Sequence, residues 1–142
     1  MFRTRICLML FTTLLVSLDI SIARAQDGET PELPDVFSEP LPLYTKALGT
    51  FTRPISSSNP EVQAYFDQGY QMMYAFARED AVRSFRESWK RDPDCAICYW
   101  GEAWAWGSFL NGPMQGDQSP HAYAAIQKAL ELANDHADGK ER

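Results

Sequence analysis

The sequence predicts an all-α fold with about four helices, and three observations carry that prediction. Apolar residues between residues 60 and 134 recur with the 3.6-residue period of an amphipathic helix. No stretch there alternates apolar and polar residues as a half-buried strand does. At residues 59–60 and 119–120 a capping side chain stands directly before a proline, which is typical of a helix start. We therefore expect helices joined by short connections rather than a sheet.

Composition limits the function classes. The chain has 142 residues, is 45% hydrophobic and carries a formal net charge of -6, which suits one globular domain. The acidic balance argues against nucleic acid as a partner, because phosphate binding needs a basic surface. Because the chain has only two histidines, it offers few candidates for a zinc ligand or for the histidine of a Ser-His-Asp triad. We therefore expect no enzyme activity and no cofactor.

Residues 1–25 predict a secretory signal peptide. Arg3 and Arg5 supply its charged start, residues 6–18 are mainly apolar, and residues 23–25 provide an A-x-A cleavage site. The apolar stretch is shorter than the roughly 20 residues that a membrane-spanning helix needs. We expect an exported bacterial protein, periplasmic or extracellular, with no membrane span after cleavage.

Residues 26–58 predict an extended linker, because five of the nine prolines lie there. Proline fixes φ and removes a backbone donor, so the segment is expected to be extended and largely unstructured. Near its end, residues 51–55 have enough apolar character to lie against the following domain, and the sequence leaves that docking open.

Residues 59–138 are expected to form the helical domain. Its predicted helices cover residues 60–76, residues 79 up to the Asp92-Pro93 pair, residues 95–110 and residues 119–134. Asn59 caps the first helix and Asp94 can cap the third. The second helix stops at Asp92, because the residue before a proline is pushed out of the α region.

The first and third helices share a pattern at an offset of 34 residues. The matched pairs are Tyr65 and Tyr99, Phe66 and Trp100, Gly69 and Ala103, Tyr70 and Trp104, and Met72 and Trp106. The small residue, Gly69 or Ala103, is expected where a neighbouring helix approaches closely. Gln68 and Glu102 are polar residues at positions where the pattern is otherwise apolar.

This spacing resembles the tetratricopeptide repeat, a helix-turn-helix unit of 34 residues. The strings that carry the resemblance are Tyr65-Phe66-Asp67-Gln68-Gly69, Arg83-Ser84-Phe85-Arg86-Glu87, Asp92-Pro93-Asp94-Cys95-Ala96 and Tyr99-Trp100-Gly101. They look like those of exported bacterial tetratricopeptide proteins, which implies an α-solenoid with repeats at about residues 62–95 and 96–134. Because about three repeats are normally needed for stability, we expect a fragment of a longer array, or a homo-oligomer if the chain is complete.

The resemblance also implies that the first helix of each repeat lines a concave groove that binds a peptide or protein partner. The candidate groove residues are Phe66, Tyr70, Met73, Tyr74, Ile97, Trp100 and Trp104. They recur at i, i+3 or i+4 and so form a stripe on each helix. On this basis the chain is a protein interaction scaffold without catalysis. The alternative is that these side chains are core, covered by the linker or by further repeats.

The pair Cys95 and Cys98 is the motif in this sequence that points most specifically to a chemical function. The pair is expected to be inert packing or a structural disulfide, a redox-active pair, or half of a metal site, although structural zinc takes four ligands. The alternative function is therefore an exported thiol-redox or metal-handling protein. His121 and His136, at the two ends of the predicted fourth helix, are expected at the surface.

Overall fold

The structure, a computed structural model, describes residues 30–134. The predicted signal peptide and His136 lie outside this range. The helices are α1 (Asp35–Ser38), α2 (Pro60–Tyr74), α3 (Arg78–Arg91), α4 (Ala96–Trp106) and α5 (Gln118–Ala133). The described residues contain no strand, only an isolated bridge between Phe109 and Gly112. The all-α prediction is confirmed, and the short helix α1 was not predicted.

The capping residues predicted at the helix starts are confirmed only in part. Asn59 caps α2 as expected, since its side-chain oxygen accepts the Glu61 N–H at 3.0 Å. The prediction that Asp94 caps α4 is wrong, because Cys95 is the N-cap residue and makes no side-chain capping bond. The Asp94 N–H instead donates to the Asp92 carboxylate at 3.2 Å, which tightens the turn between α3 and α4.

Helix α2 ends at Tyr74, short of the predicted residue 76. Phe76 adopts a left-handed backbone conformation with φ of 61°. That turn lets the Ala77 N–H donate to the Met72 carbonyl at 3.0 Å and so satisfies one of the last carbonyls of the helix. This hydrogen bond completes the end of the helix, and the left-handed residue turns the chain towards α3.

Helix α4 ends at Trp106, well before the predicted residue 110. Arg78, the first residue of α3, donates hydrogen bonds to the carbonyls of Ala105 and Gly107. Its guanidinium also lies 4.7 Å from the centre of the Phe109 ring. A cation at the C-terminal end of a helix binds free carbonyls and complements the helix dipole, so Arg78 stabilises this helix end.

Consecutive helices pack on one another, α2 on α3, α3 on α4 and α4 on α5, and α2 also touches α4. Phe85 of α3 is fully buried at the centre of this packing. A Cβ added to Gly69 of α2 would lie 3.0 Å from the Phe85 ring, and one added to Gly101 of α4 would lie 2.4 Å from it. The predicted close approach at Gly69 is confirmed. On α4 the close approach to Phe85 is at Gly101, two residues before Ala103, which is half-buried.

The N-terminal arm (residues 30–48) packs along α2 and α3. Leu41 is 4% exposed, and its carbonyl accepts the Tyr65 hydroxyl at 2.9 Å. Arg83 and Arg86 of α3 donate to two other main-chain carbonyls of the arm at 3.3 and 3.1 Å. The expectation of a largely unstructured segment is therefore wrong for the arm, because the arginines of α3 satisfy carbonyls that an extended chain leaves free.

The strap (residues 49–57) connects the arm to α2 and runs antiparallel to that helix. Phe51 lies beside Gln71 in the last turn of α2, and Ile55 lies beside Gln63 near its start. The strap has no helix or strand of its own. The docking that the sequence left open is thus present in the structure.

Candidate functional site

Four aromatic side chains on α2 and α4 form one surface, the aromatic face (Tyr70, Tyr74, Trp100 and Trp104). The Tyr70 ring centre lies 5.3 Å from Trp104 and 5.5 Å from Tyr74. Trp100 stacks on Trp104 at 5.5 Å. Residues four apart share one side of a helix, so each helix contributes one pair, and the contact between α2 and α4 joins the two pairs.

The predicted groove residues do not lie at one depth. Tyr74 is 68% exposed, whereas Met73 and the other three members of the aromatic face are half-buried. Phe66 and Ile97 are 0% and 5% exposed and belong to the core, where a partner cannot reach them. Their assignment to the groove is therefore wrong, because helical periodicity gives the direction of a side chain and not its depth.

An open apolar cleft of about 430 Å³ lies beside the aromatic face. It is lined by Phe51, Tyr70, Gln71 and Tyr74. A hydrogen bond with the Tyr70 side chain raises the pKa of Tyr74 above its ordinary value of 10.0, a value at which a phenol is already neutral near pH 7. The cleft thus presents uncharged aromatic surface, which suits an aromatic or aliphatic side chain of a ligand.

A second cleft, of about 370 Å³, lies where the tryptophan pair meets α5. Its lining residues are Trp100, Ala103, Trp104, Met114, Ser119, Ala122 and Ile126. Met114 lies in the loop that connects α4 to α5, so this loop forms one wall of the cleft. The tryptophans therefore border open space on the α5 side as well.

The strap covers part of the aromatic face. Phe51 stacks on Tyr70 with ring centres 5.2 Å apart, and the Arg53 guanidinium lies 5.7 Å from the centre of the Trp100 ring. The strap thus contacts Tyr70 and Trp100, as the alternative with a covering linker expects, but both side chains are half-buried and still line the two clefts. Tyr74 remains the open end of the face.

Three polar side chains of α2 hold the strap, and we call them the polar ladder (Gln63, Asp67 and Gln71). Each reaches main-chain groups of the strap, at distances from 2.8 to 3.1 Å. The Asp67 carboxylate also accepts the Thr52 hydroxyl at 2.6 Å. Sequence reasoning missed the binding role of Asp67 and Gln71. Their spacing at i, i+4 and i+8 with Gln63 was the signal that could have identified the ladder.

Cys95 and Cys98 form a disulfide at the start of α4. Their exposures are 2% and 0%, and both lie in the same core cluster as Phe66 and Phe85. A thiol or a reductant reaches a buried sulfur only when the surrounding helices open, and reactive cysteines are typically accessible. This burial favours the structural-disulfide interpretation of the pair.

A buried carboxylate, Glu102, lies on the side of α4 that faces α3. It is 4% exposed and accepts hydrogen bonds from Arg86 and from the indole N–H of Trp89, both at 2.6 Å. Burial raises the pKa of the nearby Tyr99, and the negative charge of Glu102 raises it further. The Glu102 carboxylate is therefore fully hydrogen-bonded and paired with Arg86, and it lies near the neutral hydroxyl of Tyr99. This arrangement is that of a structural contact.

His121 is not the purely solvent-exposed residue that the sequence suggested. It is half-buried and stacks on Trp106 with ring centres 5.2 Å apart. Among residues 30–134, no three His, Cys, Asp or Glu side chains come close enough together to hold a metal ion. The disulfide cysteines are thus without additional ligands in this part of the chain.

Comparisons with other proteins give no relative for the chain. No protein-family model, no curated protein and no solved structure matches it. None of the helices within residues 30–134 combines the length and the apolar character that a membrane crossing requires.

Proposed function

We propose that this chain is an exported, tetratricopeptide-like helical module that binds an extended peptide segment of a partner protein on its aromatic face, without catalysis. One observation carries the proposal. Tyr74 is 68% exposed while its ring contacts Tyr70 and Trp104 beside the apolar cleft of about 430 Å³. Large aromatic side chains that are positioned by neighbours and still open to a partner are typical anchors of protein interfaces.

The packing order of the helices supports the tetratricopeptide-like part of the proposal. From α2 to α5 each helix packs on the next one in the chain, and the 34-residue offset relates α2 to α4. Phe85 of α3 sits between Gly69 of α2 and Gly101 of α4, so one side chain joins the two helix pairs. Repeat units of this kind bury their apolar faces on their neighbours.

The chemistry of the partner follows from shape and charge. The strap already lies along α2 as an extended chain, so an extended peptide fits this side of the helix. The net charge of -6 favours a neutral or basic peptide over an acidic one. Export is supported by the disulfide, since disulfides persist in oxidising compartments.

The test is selection of a random-peptide display library on the purified chain, followed by affinity measurement of the enriched peptides. We expect the enriched peptides to carry an aromatic residue. The Tyr74→Ala variant should bind them at least about tenfold more weakly, which is the loss of one interfacial anchor of about 1.4 kcal/mol.

The matched control is Tyr123→Ala, which removes another exposed tyrosine, 66% exposed, from α5. This variant should keep the affinity of the unmodified chain within about twofold, and circular dichroism should show that both variants keep their helices. The proposal fails if no peptide is enriched, or if the two variants lose affinity equally.

A further inference from the structure

The polar ladder matches the repeat of an extended polypeptide. Successive ladder residues are four positions apart, which places them about 6 Å apart along α2 at 1.5 Å per residue. An extended chain advances about 6.6 Å every two residues. A chain lying antiparallel on α2 therefore presents a main-chain group to each ladder residue at every second position.

The bonds of the strap follow this match at residues 51, 53 and 55. Gln71 donates to the carbonyl of Phe51 at 3.0 Å. Asp67 accepts the Arg53 N–H at 2.9 Å, and Gln63 donates to the Arg53 carbonyl at 2.8 Å. Gln63 also accepts the N–H of residue 55 at 3.1 Å. These four bonds go to main-chain groups and so do not depend on the side chains of the bound segment, while the Thr52 hydroxyl adds one side-chain bond to Asp67 at 2.6 Å.

Two side chains of the strap supply the part that depends on sequence. Phe51 stacks on Tyr70 and Arg53 lies over Trp100, as described above. Phe51 is nevertheless 52% exposed, so this end of the strap lies on the surface, whereas the half-buried Ile55 packs against the core. Separation of the strap from α2 would expose the ladder and two members of the aromatic face.

From these contacts we infer that the strap is an internal ligand, which occupies the site where a partner peptide binds. The partner is an extended peptide that carries an aromatic side chain and, two residues further on, a cationic one. It binds by displacing the strap from the polar ladder and the aromatic face. This inference rests on the proposed function and adds to it the pattern of the peptide and the competition with the strap.

The experiment uses a fluorescent synthetic peptide with the sequence of residues 49–57 and the full chain in three forms. The forms are the unmodified chain, a variant with Phe51→Ala and Arg53→Ala, and the same variant with Gln63→Ala and Gln71→Ala added. Fluorescence anisotropy gives the affinity. A peptide of the same composition in scrambled order is the control for nonspecific binding.

We expect the variant with the weakened strap to bind the peptide at least about tenfold more tightly than the unmodified chain, because its internal competitor is weaker. Adding the two ladder substitutions should reverse that gain. Equal binding of the peptide to the unmodified chain and to the strap variant would overturn the inference, as would equal binding of the scrambled peptide.

A second measurement does not depend on any variant. Hydrogen exchange at the amides of Arg53 and Ile55, both bound by the ladder, should speed up when a library-selected peptide is added to the unmodified chain. If such peptides bind through Tyr74 but leave both amides protected, the strap is not displaced and the inference fails while the proposed function stands. If no library peptide binds, the proposed function itself fails.

Discussion

Gln68 on α2 and Glu102 on α4 lie 34 residues apart and are nearly buried, at 2% and 4% exposure, yet they bind different kinds of group. Gln68 contacts the arm. Its side-chain oxygen accepts the Tyr44 N–H at 2.7 Å, and its side-chain nitrogen donates to the Pro42 carbonyl at 3.1 Å. The same nitrogen also donates to the Ser84 hydroxyl of α3 at 3.2 Å. The two bonds to the arm pair the amide with main-chain groups of an extended segment, as a neighbouring strand would.

Glu102 contacts side chains of helices instead. It accepts hydrogen bonds from Arg86 and Trp89 of α3, and from the Trp106 indole one turn further along α4 at 3.3 Å. All three partners are donors, so a carboxylate, which only accepts, satisfies them. The salt bridge to Arg86 balances its charge.

The residue at this position of the 34-residue pattern therefore matches the hydrogen-bonding groups of the segment that covers it. The arm covers this position on α2 and offers both an N–H and a carbonyl, which need an amide that can accept and donate. Helix α3 covers it on α4 and offers a guanidinium and an indole, which need an acceptor. Exchanging the two residue types should therefore harm both sites.

The largest effect is expected at the charged site. Glu102→Ala leaves the half-buried Arg86 and two indole N–H groups without their acceptor, and breaking a buried ion pair costs about 3 kcal/mol. Urea denaturation should therefore show a free energy of unfolding lower by about that amount.

The control for this variant is Glu131→Ala, which removes an exposed ion pair with Lys128 on α5. Its cost should stay below about 0.5 kcal/mol, because exposed pairs contribute little. A loss at Glu102 no greater than that at Glu131 would mean that the buried network does not hold α3 to α4.

The two glycines around Phe85 give the second contrast between the helix pairs. Gly101→Ala places a Cβ 2.4 Å from the Phe85 ring, and such overpacking should cost about 2 kcal/mol. Gly69→Ala places one at 3.0 Å, where a small shift of the ring suffices. The better helix propensity of alanine, about 1 kcal/mol, should offset most of its cost. Thermal unfolding of both variants tests this order, and equal losses would contradict it.

The helices of this fold were predictable because their signals are local. The 3.6-residue period and the Asn59-Pro60 pair identified α2, and the 34-residue offset related it to α4. The partners of Gln68 were not predictable, since Tyr44 lies 24 residues earlier in a proline-rich segment whose composition alone indicates disorder. The burial depth of each side chain was not predictable either, because a periodic pattern does not show which other segment covers that side of the helix.

The site shows the same division between local and distant signals. The aromatic face follows from residues spaced four apart, and its four members were all among the predicted groove residues. The sequence offered residues 51–55 as a segment that could dock, but it left the docking open, because the ring contact with Tyr70 and the cation contact with Trp100 join residues that are distant in sequence. Sequence patterns thus located the surface and a candidate segment to cover it, but not the contacts between them.

The smallest effect is expected at the amide site. Gln68→Ala removes two hydrogen bonds to the arm and one to the Ser84 hydroxyl, but all three partners are uncharged, so the free energy of unfolding should fall by about 1 kcal/mol, less than at Glu102. The local effect should be larger: hydrogen exchange at the Tyr44 amide should rise well above that of the α3 amides. The exposed Gln127→Ala variant on α5 is the control and should leave that amide unchanged. If the Tyr44 amide stays protected without Gln68, the arm is held by its other contacts, such as those with Tyr65, Arg83 and Arg86, and the two polar positions are not equivalent in function.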